Sequence, residues 1–191
     1  MRRFLFHAAF AALGACDSSP PKPAGNESNP ALERPEVAVE GVDRRQAGKM
    51  APETEFVGPE GETVRLADFE GTPLLVNLWA TWCAPCVKEL PTLDALAQRH
   101  RVDADLAVIA VSQDKGPQTS VRAFLDKTGA KYLPAYQDAD MALSGAVNAQ
   151  VLPTSILYDA HGREVWRYVG DLDWTGEKAV KLLEERVGPA G

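Results

Sequence analysis

The chain has 191 residues, 45% hydrophobic and 25% charged, proportions that fit one globular domain with a buried core plus an extension. Its 20 Lys and Arg stand against 27 Asp and Glu, and the net charge of −7 argues against a nucleic-acid partner or a basic membrane-binding surface. Three cysteines are too few for a disulfide scaffold.

The N-terminus reads as a targeting segment. Arg2 and Arg3 precede an apolar run from Phe4 to Leu13, and small residues follow. The run is too short to span a bilayer, so residues 1–15 read as a secretion signal. Leu13-Gly14-Ala15-Cys16 resembles a bacterial lipobox. That resemblance implies cleavage before Cys16, acylation of its thiol and a lipid-anchored protein; a plain signal peptide with an incidental cysteine is the alternative. Asp17 resembles the residue that keeps some lipoproteins in the inner membrane, so the expected location is the periplasmic face of that membrane. Residues 16–50, rich in Ser, Pro, Asn, Gly and Glu, show no helix or strand period and read as a flexible tether. A docking segment for a partner is the other reading.

A folded domain is expected over 51–188. Phe56-Val57, the turn Gly58-Pro59-Glu60-Gly61 and Thr63–Leu66 read as a β-hairpin. Leu74 to Trp79 is an apolar run suited to a strand covered on both faces. A helix is expected from Ala84 to His100, with Leu90, Leu93, Leu96 and Ala97 inward and a kink at Pro91. His100 reads as a helix-end dipole partner. Further strands are expected at Leu106–Val111, Tyr132–Tyr136, Val151–Tyr158 and Glu164–Val169, with His161 in a solvated turn between the last two. Helices are expected after Pro117, ending at Gly129, and over Asp140–Asn148. A closing helix over Thr175–Val187 should turn Ala179, Val180, Leu182, Leu183 and Val187 inward. Strands alternating with helices, then a hairpin and a helix, give an α/β domain with a mixed sheet.

Between the central strand and its helix lies Trp82-Cys83-Ala84-Pro85-Cys86. Cys83 falls where the helix begins, facing unpaired amides and the positive end of the dipole, so its thiolate should be stabilised. A structural disulfide would close only a short loop and restrain the unfolded chain little. Zinc would need two more ligands, and Cys16, His7, His100 and His161 are scattered singly. No metal or cofactor beyond the cysteine pair is expected. Redox chemistry is the reading the pair favours.

The same stretch resembles the thioredoxin active site. The longer string from Asn77 to Pro91 is similar to the TlpA/ResA branch, which comprises membrane-tethered extracytoplasmic thiol-disulfide reductases. Leu66-Ala67-Asp68-Phe69-Glu70-Gly71 also looks like theirs. The resemblance covers about residues 50 to 187. It implies a thioredoxin-like fold with an added N-terminal β-hairpin.

Thiol-disulfide exchange needs an attacking thiolate, a resolving thiol and a route for protons. Cys83 is expected to attack and Cys86 to resolve, with Trp82 and Pro85 shaping the rim. Thioredoxin carries a buried aspartate six residues before its first cysteine; Asn77 stands there in this chain and cannot exchange a proton. Glu89 lies one turn beyond Cys86 on the same side of the helix, matching a glutamate of the ResA-like proteins, and is the expected acid/base. A solvated first-turn residue is its alternative reading. Leu152-Pro153-Thr154 looks like the family's cis-proline element, which implies that Leu152 and Pro153 hold an extended client chain. In the family the role serves cytochrome c maturation or copper-site assembly, fed by a membrane electron donor of the DsbD/CcdA type. The alternatives are a disulfide donor and a copper-binding metallochaperone, since two cysteines can hold Cu(I). The longer cysteine spacing and distant histidine of Sco-type chaperones are missing, as is the peroxiredoxin motif.

Overall fold

The computed structural model describes residues 41–187. The expected signal segment and Cys16 lie outside them. In chain order the elements are β1 (Gly41–Asp43), β2 (Phe56–Val57), β3 (Thr63–Val64), β4 (Leu74–Trp79), α1 (Ala84–Asp103), β5 (Ala107–Ser112), α2 (Gln118–Thr128), β6 (Tyr136–Gln137), α3 (Ala142–Ala146), β7 (Thr154–Tyr158), β8 (Glu164–Val169) and α4 (Glu177–Leu183). The strands form one mixed sheet in the order β1-β8-β7-β4-β5-β6-β2-β3. The central strand β4 runs parallel to β5 and antiparallel to β7. This is a thioredoxin-like α/β fold, with the β2–β3 hairpin added ahead of β4.

All six residues of β4 are buried, because both faces of the sheet are covered. Leu75 and Trp79 point to the face packed by Leu90, Leu93 and Leu96 of α1 and by Leu182 and Leu183 of α4. Leu74, Val76 and Leu78 point to the other face, against Leu143 of α3 and Phe56, Val64 and Leu66 of the hairpin region. Burying each such side chain stabilises the fold by about 1.5–3 kcal/mol. Asn77 shares the α1 face with Leu75 and Trp79, by the two-residue period of a strand. A polar residue thereby lies under the helix that carries the cysteines.

Several expected boundaries move. The tether was expected to run to residue 50 without structure, yet Gly41–Asp43 pairs antiparallel with β8. Gly48 N–H donates to Glu164 O at 2.7 Å and Glu164 N–H to Lys49 O at 2.8 Å, so a strap pairs with both ends of the outer edge of β8. Three residues paired to a neighbouring edge need no hydrophobic period of their own, and the sequence therefore showed none. The strand expected over Tyr132–Tyr136 shrinks to Tyr136–Gln137, because Pro134 has no N–H to give a ladder. α3 is confined to Ala142–Ala146 by left-handed backbone at Met141 (φ 56°) and Asn148 (φ 54°). β7 begins only at Thr154, after a cis Leu152–Pro153 peptide.

α1 continues through Pro91 to Asp103, three residues past the expected end, and stops at left-handed Ala104. His100 is buried at that end, its Nδ1 2.6 Å from Asp105 Oδ1. His161 is exposed in its turn. The closing helix is shorter than expected, Glu177–Leu183 followed by a 3-10 turn over Glu184–Val187. Ala179, Leu182 and Leu183 face inward, but Val180 is exposed, on the flank of that stripe; the Val187 side chain lies outside the described ones.

Candidate active site

The strand-to-helix junction after β4 sets the site. Cys83 is the N-cap of α1, its backbone extended at φ −92°, and its Sγ accepts the Cys86 amide at 3.3 Å. Pro85 sits in the first turn, where a missing N–H costs nothing. Cys83 and Cys86 are joined as a disulfide. Cys83 is 7% exposed and Cys86 fully buried, so Cys83 is the more accessible of the two. Trp82 is 68% exposed beside it, and Pro85 is exposed too.

A carboxylate that the sequence analysis missed fixes this junction. Asp114, just after β5, accepts the Thr81 hydroxyl at 2.7 Å, the Thr81 amide at 3.0 Å and the Ser112 hydroxyl at 2.7 Å. The loop ahead of Cys83 is thus held to the neighbouring strand from 33 residues away. No local pattern links Thr81 to Asp114.

Pro153 lies where the sheet register brings it to the end of β4. Thr154 pairs with Leu78, so the cis peptide sits one step nearer the cysteine junction, and Pro153 O accepts the Gly170 amide at 2.9 Å. Pro153 is buried, while Leu152 is half-buried and Val151 exposed. Leu152 and Pro153 therefore stand at the same end of the sheet as Trp82 and Cys83.

Glu89 is not a solvated helix residue. It is 3% exposed, beneath the first turns of α1. Oε1 accepts Asn77 Nδ2 at 2.7 Å. Oε2 accepts the Leu172 amide at 3.0 Å and the Trp174 indole Nε1 at 3.2 Å. Burial pushes its carboxyl from 4.5 up to about 7, and the Leu172, Asn77 and Trp174 donors oppose that rise only in part; the nearby Asp171 charge adds to it. A carboxyl that titrates near neutrality, one helical turn from a buried cysteine, can exchange a proton at working pH. Helical spacing and the resemblance to the ResA-like proteins picked out Glu89. Leu172 and Trp174, more than eighty residues away, carried no signal beyond a lone Trp in an acidic loop. Among the described residues there is no cluster of three or more His, Cys, Asp or Glu side chains suited to a metal ion.

Comparison with known proteins fits this geometry. The Redoxin family matches residues 46–183, most of the chain. The thiol-disulfide oxidoreductase ResA of Bacillus thuringiensis (strain Al Hakam) is 31% identical over 129 residues, covering 68% of this chain and 73% of its own. The chain belongs to the Redoxin family and to its ResA-like thiol-disulfide oxidoreductases. ResA of Bacillus subtilis (strain 168) is 28% identical over 125 residues, covering 65% of this chain and 68% of its own. Among solved structures, a candidate thiol:disulfide interchange protein DsbE from Chlorobium tepidum superimposes with a TM-score of 0.65 at 25% identity, covering 74% of this chain and 98% of that one. The Cys83–Cys86 pair is thus the disulfide of a ResA-like thiol-disulfide oxidoreductase. No helix among the described residues is long and apolar enough to cross a membrane.

Proposed function

We propose that this ResA-like oxidoreductase reduces disulfides of client proteins outside the cytoplasm, of the kind served in cytochrome c maturation or copper-site assembly. Cys83 thiolate attacks a client disulfide; a mixed disulfide forms and one client thiolate leaves. Cys86 passes its proton to Glu89 and attacks the Cys83 sulfur, and the second client thiolate leaves. The client gains two electrons and the pair becomes the Cys83–Cys86 disulfide. A membrane donor of the DsbD/CcdA type returns the electrons, and acylated Cys16 holds the enzyme at the periplasmic face of the inner membrane. Trp82, Pro85, Leu152 and Pro153 form the surface on which an extended client chain lies, with the Leu152 backbone available for a short added strand.

The observation that carries the reductase reading is Glu89, a carboxyl held near neutrality under the cysteine helix. Strong oxidants owe their character to a heavily stabilised thiolate. Here Ala84 and Pro85 bring no positive charge to Cys83, and an ionised Glu89 opposes an anion nearby. The test is the reduction potential of the pair, by equilibration with a defined thiol buffer. The expected result is a value near that of thioredoxin, about −270 mV. A value near that of the oxidant DsbA, about −120 mV, would make the protein a disulfide donor and end the reductase reading.

A further inference from the structure

The two oxygens of Glu89 are held in unlike ways. Oε2 receives two N–H donors, the Leu172 amide and the Trp174 indole, neither of which can accept a proton in return. Among the described residues, Oε1 meets only the Asn77 side chain. Asn77 is fully buried; its Nδ2 also donates to Ser155 Oγ at 2.9 Å, and its Oδ1 has no hydrogen-bond partner among the described residues. A buried amide oxygen left unpaired is costly unless another state of the site uses it.

The loop that supplies the donors is tied to α1 at three points. Lys88 Nζ bonds Asp171 Oδ2 at 2.7 Å, Leu172 and Trp174 hold Glu89, and the Trp174 amide donates to Thr92 Oγ1 at 3.2 Å. Resting on the reading of Glu89 as the proton acceptor for Cys86, we propose that Trp174 and Asn77 are positioning residues that fix where the proton resides. With Oε2 filled by Leu172 and Trp174, the proton binds Oε1, and the Asn77 amide turns so that Oδ1 accepts it. Ser155, a hydroxyl able to donate or accept, follows either orientation of the amide. Proton release reverses the turn, and Nδ2 again donates to the carboxylate. The charged groups facing Glu89 are Asp171 on the loop and, paired with it, Lys88 on α1; Asn77 on β4 and Ser155 on β7 are neutral. The amide is thus a proton-following partner in place of a titrating one.

The experiment is NMR titration of the oxidised full chain, following the Glu89 side-chain carboxyl carbon, the Trp174 indole N–H and the Asn77 side-chain amide. The three are expected to shift together with one midpoint, and the indole and amide shifts are expected to vanish in Glu89→Gln. An indole or amide that stays still while the carboxyl titrates overturns the inference, with no variant needed. In Trp174→Phe, which keeps a ring in the pocket but removes a donor to the anion, the Glu89 midpoint is expected to rise by about one pH unit. An unmoved midpoint in a folded variant also overturns it. The parent reading fails separately: if Glu89→Gln leaves the pH dependence of client-disulfide reduction unchanged, Glu89 is not the acceptor, whatever Trp174 does.

Discussion

At the scale of the residue, Glu89 shows burial winning over hydrogen bonding. Three N–H donors favour its anion, yet loss of solvent raises the carboxyl to about 7. Folded Glu89 therefore binds its proton more tightly than the unfolded chain does, and stability falls as pH rises from 4.5 to about 7, then levels. At about 1.4 kcal/mol per unit, the loss across that window is roughly 2–4 kcal/mol. Glu89→Gln removes the ionisation while its amide oxygen still accepts the Leu172 and Trp174 donors. The variant is expected to gain on the parent through that window and to hold the gain at about pH 8, by urea unfolding at several pH values. A difference that is constant with pH would mean that the carboxyl is not what titrates. The charge problem at this residue was legible from Asn77 and the helical spacing. Its solution was not, since two of the three donors come from a loop beyond β8.

At the scale of the element, β8 shows how one irregularity makes a buried pair. Arg167 is opposite Ile156 and Trp166 opposite Leu157, but Glu164 is opposite Tyr158, so Val165 is an extra residue. In an unbroken strand, residues three apart point to opposite faces. The bulge brings Glu164 and Arg167 to one face, where Arg167 Nε and Nη2 bond the carboxylate at 2.8 and 2.7 Å and Nη1 donates to Val147 O at 2.7 Å. Both side chains are buried. Glu164→Ala leaves a buried guanidinium with one hydrogen bond among the described residues, to Val147 O, and is expected to cost about 3–5 kcal/mol. Replacing both by apolar residues of similar volume is expected to cost far less, and urea unfolding of single and double variants distinguishes the two. The strand limits at Glu164 and Val169 were legible because β-branched and aromatic residues run between turn signals. The bulge was not, because nothing in Glu164-Val165-Trp166-Arg167 marks which residue is left unpaired.

At the scale of the molecule, the thioredoxin-like layout was legible because its central strands are apolar runs and its catalytic junction is a short local motif. What escaped was everything that rests on pairing between distant segments: Asp114 on Thr81, the Trp174 loop on α1, and the strap along β8. That strap gives the sequence-based domain start a practical cost. A chain cut to residues 51–188 keeps the cysteines, Glu89 and Pro153, but loses β1 and the Gly48 and Lys49 bonds to Glu164. The N–H and C=O groups on the outer edge of β8 then lie open, the arrangement that invites another strand to pair. Such a trimmed enzyme is expected to retain disulfide exchange yet to form concentration-dependent dimers or aggregates, visible by light scattering, where a chain beginning before Gly41 does not. On this expectation, the ten residues that look like linker keep neighbouring copies of the enzyme from zipping together edge to edge.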